Sequence, residues 1–190
     1  LSFSRSALDR RLADITEAEA RFENLFENAE ISIWNEDLSG LMVRLGTLRQ
    51  GGVVDLRSHL REHPALAWDL YASVRVLHVN RASLRLFGAR DEAEFLAHLP
   101  SLVAPESLPT LVDQMGALWD QEAVFQGEAC LRTLGGERLV VYLSFPIPRT
   151  PEGFTSVPVS LLDVTQMKRA EERLRYNTLE LERSNSDLES

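Results

Sequence analysis

Val157-Pro158-Val159-Ser160-Leu161-Leu162 is a β-like run that meets Asp163-Val164-Thr165 and then turns into a long polar helix reaching Leu188. β-branched residues extend the strand, and a short polar residue at its end can take up free backbone N–H groups. Thr165, or Asp163 through its carboxylate, therefore has the chemistry of a helix N-cap. Past the cap, Met167, Leu174, Leu181 and Leu188 recur every seven residues, with Glu171, Thr178 and Asn185 midway. One heptad seam results. Leucine at d with asparagine at an a position favours a parallel two-stranded coiled coil and fixes its register, at some cost in stability. Only one flank of the seam is apolar, so a solvated tail with chance leucine spacing is the competing reading.

The other end of the chain tips the balance towards pairing. Leu1, Leu8, Ile15, Phe22 and Ala29 also recur every seven residues, and Leu12 and Phe26 fill two intermediate positions. A globular body thus sits between two helices that both expect a partner.

At 190 residues, of which the helical ends take about a quarter, the remainder is one domain's worth of chain with enough length to bury a core. The net charge of −9 and scattered arginines argue against nucleic acid and against an anionic membrane surface, both of which call for a basic face. A single cysteine, Cys130, excludes an internal disulfide and a cysteine-based zinc site and suits a reducing compartment. Cytosol is the expected location. No apolar run approaches the length needed to span a bilayer, and the N-terminus has neither a signal-peptide core nor a methionine. The chain also stops inside a heptad pattern, and it reads as a segment of something longer.

In order, residues 1–29 predict one helix broken near its end. Glu30-Ile31-Ser32-Ile33-Trp34-Asn35 alternates at period two and predicts the first strand. Leu38, Leu41, Met42, Leu45 and Leu48 then share one helix face, which Gly51-Gly52 ends. Asp55 looks like the cap of a second helix, and Pro64 starts a third piece through Trp68 and Tyr71. Residues 74–80 predict a second strand, and Asn80 caps a helix through Phe87 that Gly88 closes. Short helices follow at 91–98, capped by Asp91, and at 106–119. Val124–Leu134 and Arg138–Phe145 form two strands around Gly135-Gly136, which permits the positive φ of a tight turn. Residues 154–164 return as the last strand.

These residues resemble the PAS sensory domains. The resemblance is carried by Arg21-Phe22-Glu23-Asn24-Leu25-Phe26-Glu27-Asn28-Ala29, by Val79-Asn80-Arg81-Ala82 with Leu86-Phe87-Gly88, by the strand pair around Gly135-Gly136, and by Asp163-Val164-Thr165 before the last helix. It covers about 21–168 and implies an α+β fold, a five-stranded antiparallel sheet with helices on one face, flanked here by N- and C-terminal coiled-coil helices. One departure stands out: PAS domains usually join the first two strands by a tight hairpin, and here the helical stretch 38–73 intervenes. The tail Leu181-Glu182-Arg183-Ser184-Asn185-Ser186-Asp187-Leu188-Glu189 resembles the linker that runs into the dimerisation and phosphoacceptor helices of sensor histidine kinases. None of His59, His63, His78 or His98 lies in it.

Candidate chemistry is sparse. His59 and His63 are spaced like metal ligands on a helix, but Pro64 biases His63 out of helical geometry, and no third ligand type clusters nearby. Surface histidines are the expectation, and no metal. PAS proteins that bind haem resemble one another in an axial histidine on the long helix corresponding to 106–119, which has none here; His98 is the nearest, with a cap or surface role. Those that form a flavin adduct carry a cysteine in an Asn-Cys-Arg motif on a helix, whereas Cys130 lies in a predicted strand without it. Arg132, Tyr142 and Trp34 are candidates for lining a ligand site, or for facing outward beside Val140 and Val159 under a helix or partner chain, and packing is the favoured reading. No catalytic constellation appears at informative spacing.

The expected organisation is a signalling helix over 1–20, a PAS domain over 21–165 with the insertion 38–73, and a coiled-coil linker over 166–190. The expected function is a dimeric, cytoplasmic, non-enzymatic module that relays a conformational signal through Asp163 and Thr165 into a coiled coil feeding a histidine kinase in the same polypeptide. Its dimer seam is Leu8, Ile15, Phe22, Met167, Leu174, Leu181 and Leu188. No cofactor, nucleic acid or membrane contact is expected, and an unknown small-molecule ligand is possible. The alternatives are a ligand-free structural dimerisation domain and a small ligand-binding enzyme.

Overall fold

A computed structural model describes the backbone of residues 2–188 and the side chains of residues 7–181. Helix α1 (Ser2–Asn28) leads into strand β1 (Ser32–Asp37), and three helices follow, α2 (Ser39–Gln50), α3 (Leu56–Glu62) and α4 (Pro64–Tyr71). Strand β2 (Arg75–Val79) precedes α5 (Arg81–Phe87), α6 (Glu92–Leu102) and α7 (Leu108–Trp119). The chain closes with β3 (Val124–Arg132), β4 (Arg138–Pro146), β5 (Val157–Asp163) and α8 (Thr165–Leu188). The strands form one sheet in the order β2-β1-β5-β4-β3 with antiparallel neighbours. The last strand in sequence is therefore the central one, and it feeds α8 directly.

Alternation along the strands decides which face is covered. Val157, Val159 and Leu161 of β5 and Leu139, Val141, Leu143 and Phe145 of β4 are buried, while Leu162 and Tyr142 point the other way and are exposed. The buried face meets an aromatic cluster in which Trp34 of β1, Phe87 of α5 and Phe95 of α6 lie with ring centroids 5.2–5.5 Å apart. Tilted and edge-on rings of this kind add to the burial of their large apolar area.

The insertion between β1 and β2 packs inward as three amphipathic pieces, whose Leu41, Leu45, Leu56, Leu60, Ala67 and Leu70 are buried. Asp55 caps α3 by accepting from the Ser58 N–H at 3.1 Å. Arg57 of α3 crosses α7 at Gly116, where a Cβ would come within 2.3 Å of the guanidinium. It pairs with Asp120 and, at 3.0 Å, with Glu122. The missing side chain lets the two helices approach, and the ion pairs fix their register.

Asn80 is the polar hub of the first half. It is fully buried. Its side-chain amide donates to the carbonyls of Phe26 at 3.0 Å and Ile31 at 2.9 Å, and its oxygen accepts from the N–H groups of Ile33 and Ser83 and from the Ser83 hydroxyl. One side chain thus caps α5 and ties the end of α1 to the start of β1.

Several boundaries differ from the sequence expectation. The first strand starts at Ser32 rather than Glu30, because Asn80 holds the Ile31 carbonyl in the corner, and it runs on to Asp37. The first helix continues unbroken to Asn28. The helix expected at 91–98 runs on through Pro100 to Leu102. Phe95 and Leu102, both fully buried, anchor it on one face. The last strand begins at Val157, since Pro151–Thr155 forms a 3₁₀ turn that buries Phe154. Gly136 does carry the positive φ of the β3–β4 turn, at 84°.

Candidate functional site

A cavity lies between the covered face of the sheet and the helices. Trp34 and Glu36 of β1, Tyr71 of α4, Leu111 and Gln114 of α7, and inward residues of β3, β4 and β5 line it. It leaves about 40 Å³ for the centres of water-sized molecules, where one water needs roughly 10–15 Å³ in that measure. The space suits a few waters or a small chemical group.

Period two in β1 puts Trp34 and Glu36 on the same face, and both line the cavity, Trp34 buried and Glu36 half-buried. The Trp34 indole N–H is buried without a hydrogen-bond partner. No hydrogen bond or ion pair reaches the Glu36 carboxyl among the described residues, and burial pushes it up to about 7 from its ordinary 4.5. Burial, and then the nearby Glu36 carboxyl, raise the Tyr71 phenol as well. Buried polar groups are nearly always paired, so the lone indole donor, with the half-buried and unpartnered Glu36 carboxyl beside it, marks a place where a bound molecule can supply the partners.

Next along β1, Asp37 makes the opposite arrangement. Its carboxylate accepts from the Ser39 hydroxyl at 2.5 Å and the Ser39 N–H at 2.9 Å, and it pairs with Arg75 of β2. The Ser39 bond and then Arg75 hold it down at about 2. Two adjacent carboxyls thus titrate far apart, one lowered and one raised, because one is solvated by donors and the other is not.

The joint to α8 is closely bonded. Asp163 accepts from the Thr165 N–H at 2.9 Å and from the Thr165 hydroxyl at 2.5 Å. The Thr165 hydroxyl in turn accepts from the Val140 N–H of β4 at 2.9 Å, and Val164 N–H donates to the Val140 carbonyl at 2.9 Å. Val164 and Thr165 are buried. Lys168, one turn on, reaches Glu128 of β3 at 2.7 Å. The first turn of α8 is therefore fixed to β3, β4 and β5, whose inner residues line the cavity.

Residues of the expected seam stand apart from this body. Leu8, Ile15 and Phe22 on α1 and Met167, Leu174 and Leu181 on α8 are each more than half exposed in the single chain. Leu1 and the side chain of Leu188 lie outside the described residues, as do the side chains of the tail from Glu182 on.

Of the three candidate lining residues, the structure puts only Trp34 at the cavity. Tyr142 faces outward with Val140, as alternation on β4 requires, whereas Val159 turns inward to the cavity. Arg132 pairs with Glu106 at the surface at 3.7 Å. The rings of His59 and His63 lie tilted with centroids 4.6 Å apart, His59 half-buried and His63 exposed, and the His98 ring meets the Glu94 carbonyl of its own helix. Cys130 is buried in β3, and its sulfur accepts from Arg138 at 3.2 Å. No group of three metal-ligating side chains occurs among the described residues, and none of their helices is long and apolar enough to cross a membrane.

Sequence reasoning missed Glu36 and Tyr71. The signal for Glu36 was the alternation itself, carried two residues past Trp34; Tyr71 gave no signal beyond its place in the insertion.

No protein-family model matches the sequence, and no curated protein matches it. Solved structures do match. A PAS domain from Colwellia psychrerythraea aligns with a TM-score of 0.50 at 14% identity, over 78% of this chain and 98% of that one. The LOV protein of Rhodobacter sphaeroides aligns at 0.50 and 15% identity, over 82% of this chain and 73% of that one. An RNA-binding light-oxygen-voltage receptor aligns at 0.51 and 13% identity, over 87% of this chain and 38% of the receptor. At such identities the likeness concerns architecture alone. With five antiparallel strands in this order and helices packed over one face, the chain has the PAS fold.

Proposed function

We propose that this chain is a cytoplasmic sensory module that carries no catalysis of its own. It relays a change at the inner cavity through Asp163, Val164 and Thr165 into α8, and so to a downstream histidine kinase. One observation carries the reading. β4 and β5 supply cavity-lining residues from their inner faces, Leu143, Phe145, Val159 and Leu161, and they hold the first turn of α8 at their ends through Val140 and Asp163. A molecule that spreads or tightens these strands acts on the helix with no flexible linker between. A relay of this kind needs only a ligand with different affinity for the two helix positions.

The functional unit in this reading is a homodimer, with 1–20 and 166–190 as its pairing segments around a PAS body at 21–165. Exposed apolar stripes on both helices support this, since such stripes mark association surfaces. Polar a positions at Glu171, Thr178 and Asn185 keep the seam marginal, which suits two registers of similar energy.

The test uses the full-length protein. Asp163→Ala with Thr165→Ala should leave the PAS body folded and the chain dimeric by light scattering at tens of micromolar, while autophosphorylation stops following the stimulus. A double variant that still responds normally would send the coupling elsewhere, and a monomeric mass would leave only the cavity half of the proposal.

A further inference from the structure

The lining of the cavity says which chemical class it takes. Among the described residues, Glu36 is its one carboxyl, and no lysine, arginine or histidine lines it. Trp34, Tyr71 and Phe145 bring aromatic rings to the same space. An anion placed here would meet an unpaired carboxyl and no positive charge, in surroundings where burial strengthens the repulsion. A neutral guest would leave a carboxylate without a counter-ion. A positively charged nitrogen meets both needs, since it pairs with the carboxylate and is attracted by ring faces.

A second, larger pocket adjoins the first. Trp68 and Ala72 of α4, Val74, Val76 of β2, and Leu99 and Pro100 of α6 line it with about 310 Å³ for the centres of water-sized molecules. Tyr71 and Val103 line both pockets and stand between them. The inner space is small and holds the carboxyl, and the outer one is roomy and apolar. Together they match a short charged head on an apolar body.

We propose that the paired pockets bind a primary organic ammonium ion, its head on Glu36 within the aromatic walls and its apolar body in the groove of α4, β2 and α6. The assignment rests on the reading of the cavity as the sensing site. Among the described residues, Tyr71 is the only other titratable group facing Glu36 across the cavity. The elements packed around it contribute Leu111, Gln114, Ala129, Leu131, Leu143 and Val159 among their lining residues, none of which titrates near neutral pH. Glu36, with its carboxyl raised to about 7, is mostly protonated at pH 6 and mostly ionised at pH 8. An alkylammonium stays charged throughout, since a lysine-like amine titrates near 10.4.

The experiment compares n-hexylammonium, hexan-1-ol and hexanoate by titration calorimetry at pH 6, 7 and 8, in buffers of different ionisation enthalpy, on the whole chain and on Glu36→Gln. The ammonium probe is expected to bind about tenfold more tightly at pH 8 than at pH 6, the change in the ionised fraction of a group titrating at about 7. It should release about half a proton at pH 7 on the same ground. Glu36→Gln, with an unchanged circular dichroism spectrum, should lose both the binding and the proton release. Hexan-1-ol binding as tightly as the ammonium, or Glu36→Gln binding undiminished, would overturn the ammonium assignment and leave the cavity a ligand site of another class. Binding of none of the three at millimolar concentration would overturn both the assignment and the sensing role of the cavity.

Discussion

Glu36→Gln should make the protein more stable, and by an amount that grows with pH. In the folded chain the carboxyl titrates at about 7, against 4.5 for an ordinary glutamate, because burial penalises its charge and no donor or cation offsets that penalty. Between these two values the folded state binds more protons than the unfolded one, so stability falls as pH rises. The loss begins near pH 4.5 and levels off above pH 7. At about 1.4 kcal/mol for each unit of displacement, the whole penalty is about 3 kcal/mol at pH 8 and small at pH 4.5. Glutamine has nearly the shape and polarity of the protonated acid and does not titrate. The variant and the parent should therefore have similar stability near pH 4.5 and diverge by about 3 kcal/mol at pH 8. Guanidinium unfolding of both chains at several pH values measures the difference, and every other titrating group cancels in it. A stability gap that changes by less than about 1 kcal/mol between pH 4.5 and pH 8, under one unit of displacement, would refute the desolvated, unpaired carboxyl. So would a gap that grows towards acid pH.

Two further substitutions probe the frame of the site. Asn80→Ala strands the carbonyls of Phe26 and Ile31 and the N–H of Ile33. With a lost cap worth about 0.5–2 kcal/mol and each stranded buried group about 1–3, the expected cost is about 3–5 kcal/mol by guanidinium unfolding. A loss under about 1 kcal/mol would mean that water replaces the side chain. Thr165→Val keeps the shape of the side chain and removes the hydroxyl that accepts from Val140 and donates to Asp163. It should cost about 1–3 kcal/mol and speed amide exchange at Val140 and in the first turn of α8, whereas Thr165→Ser should restore both. Unchanged exchange at Val140 would show that the backbone bond from Val164 alone holds the joint.

Legibility of the sequence followed the range of the interactions. Asp55, Asn80, Asp91 and Gly88 act on backbone groups within a few residues, so their roles as caps and stops could be read from local chemistry, and each sits where that chemistry puts it. The order and number of strands followed from alternation and turn residues in the same way. The missed boundaries depended on distant partners. The start of β1 is set by the amide of Asn80, far along the chain, and α6 runs past Pro100 into a face anchored by Phe95 and Leu102. The direction of Trp34 could not be read from period two alone, because alternation says which residues share a face and not which face is covered. Glu36 was hidden for a related reason. A carboxyl at a strand end reads as a solvated one unless the helices that seal it are known, and here one of them comes from the insertion.

That insertion links the departure in topology to the chemistry of the site. A tight hairpin between β1 and β2 would leave the outer end of β1 open, and Glu36, two residues past Trp34, would face water like most glutamates. Instead α2 begins at Ser39, where Asp37 accepts from the Ser39 N–H and hydroxyl, and the chain returns through α4 with Tyr71 beside the cavity. The helices are held down by their buried leucines and by Arg57 across Gly116 of α7. Adjacent carboxyls then diverge: Asp37, bound to Ser39 and Arg75, is held at about 2, while Glu36, on the cavity side and without a donor, rises to about 7. The insertion therefore makes a titratable group near neutrality out of a strand residue, and places it on the cavity that β4 and β5 also line, the strands that hold the root of α8. In the proposed reading, a change in the charge of Glu36, by pH or by a cationic guest, acts on those strands from within the cavity.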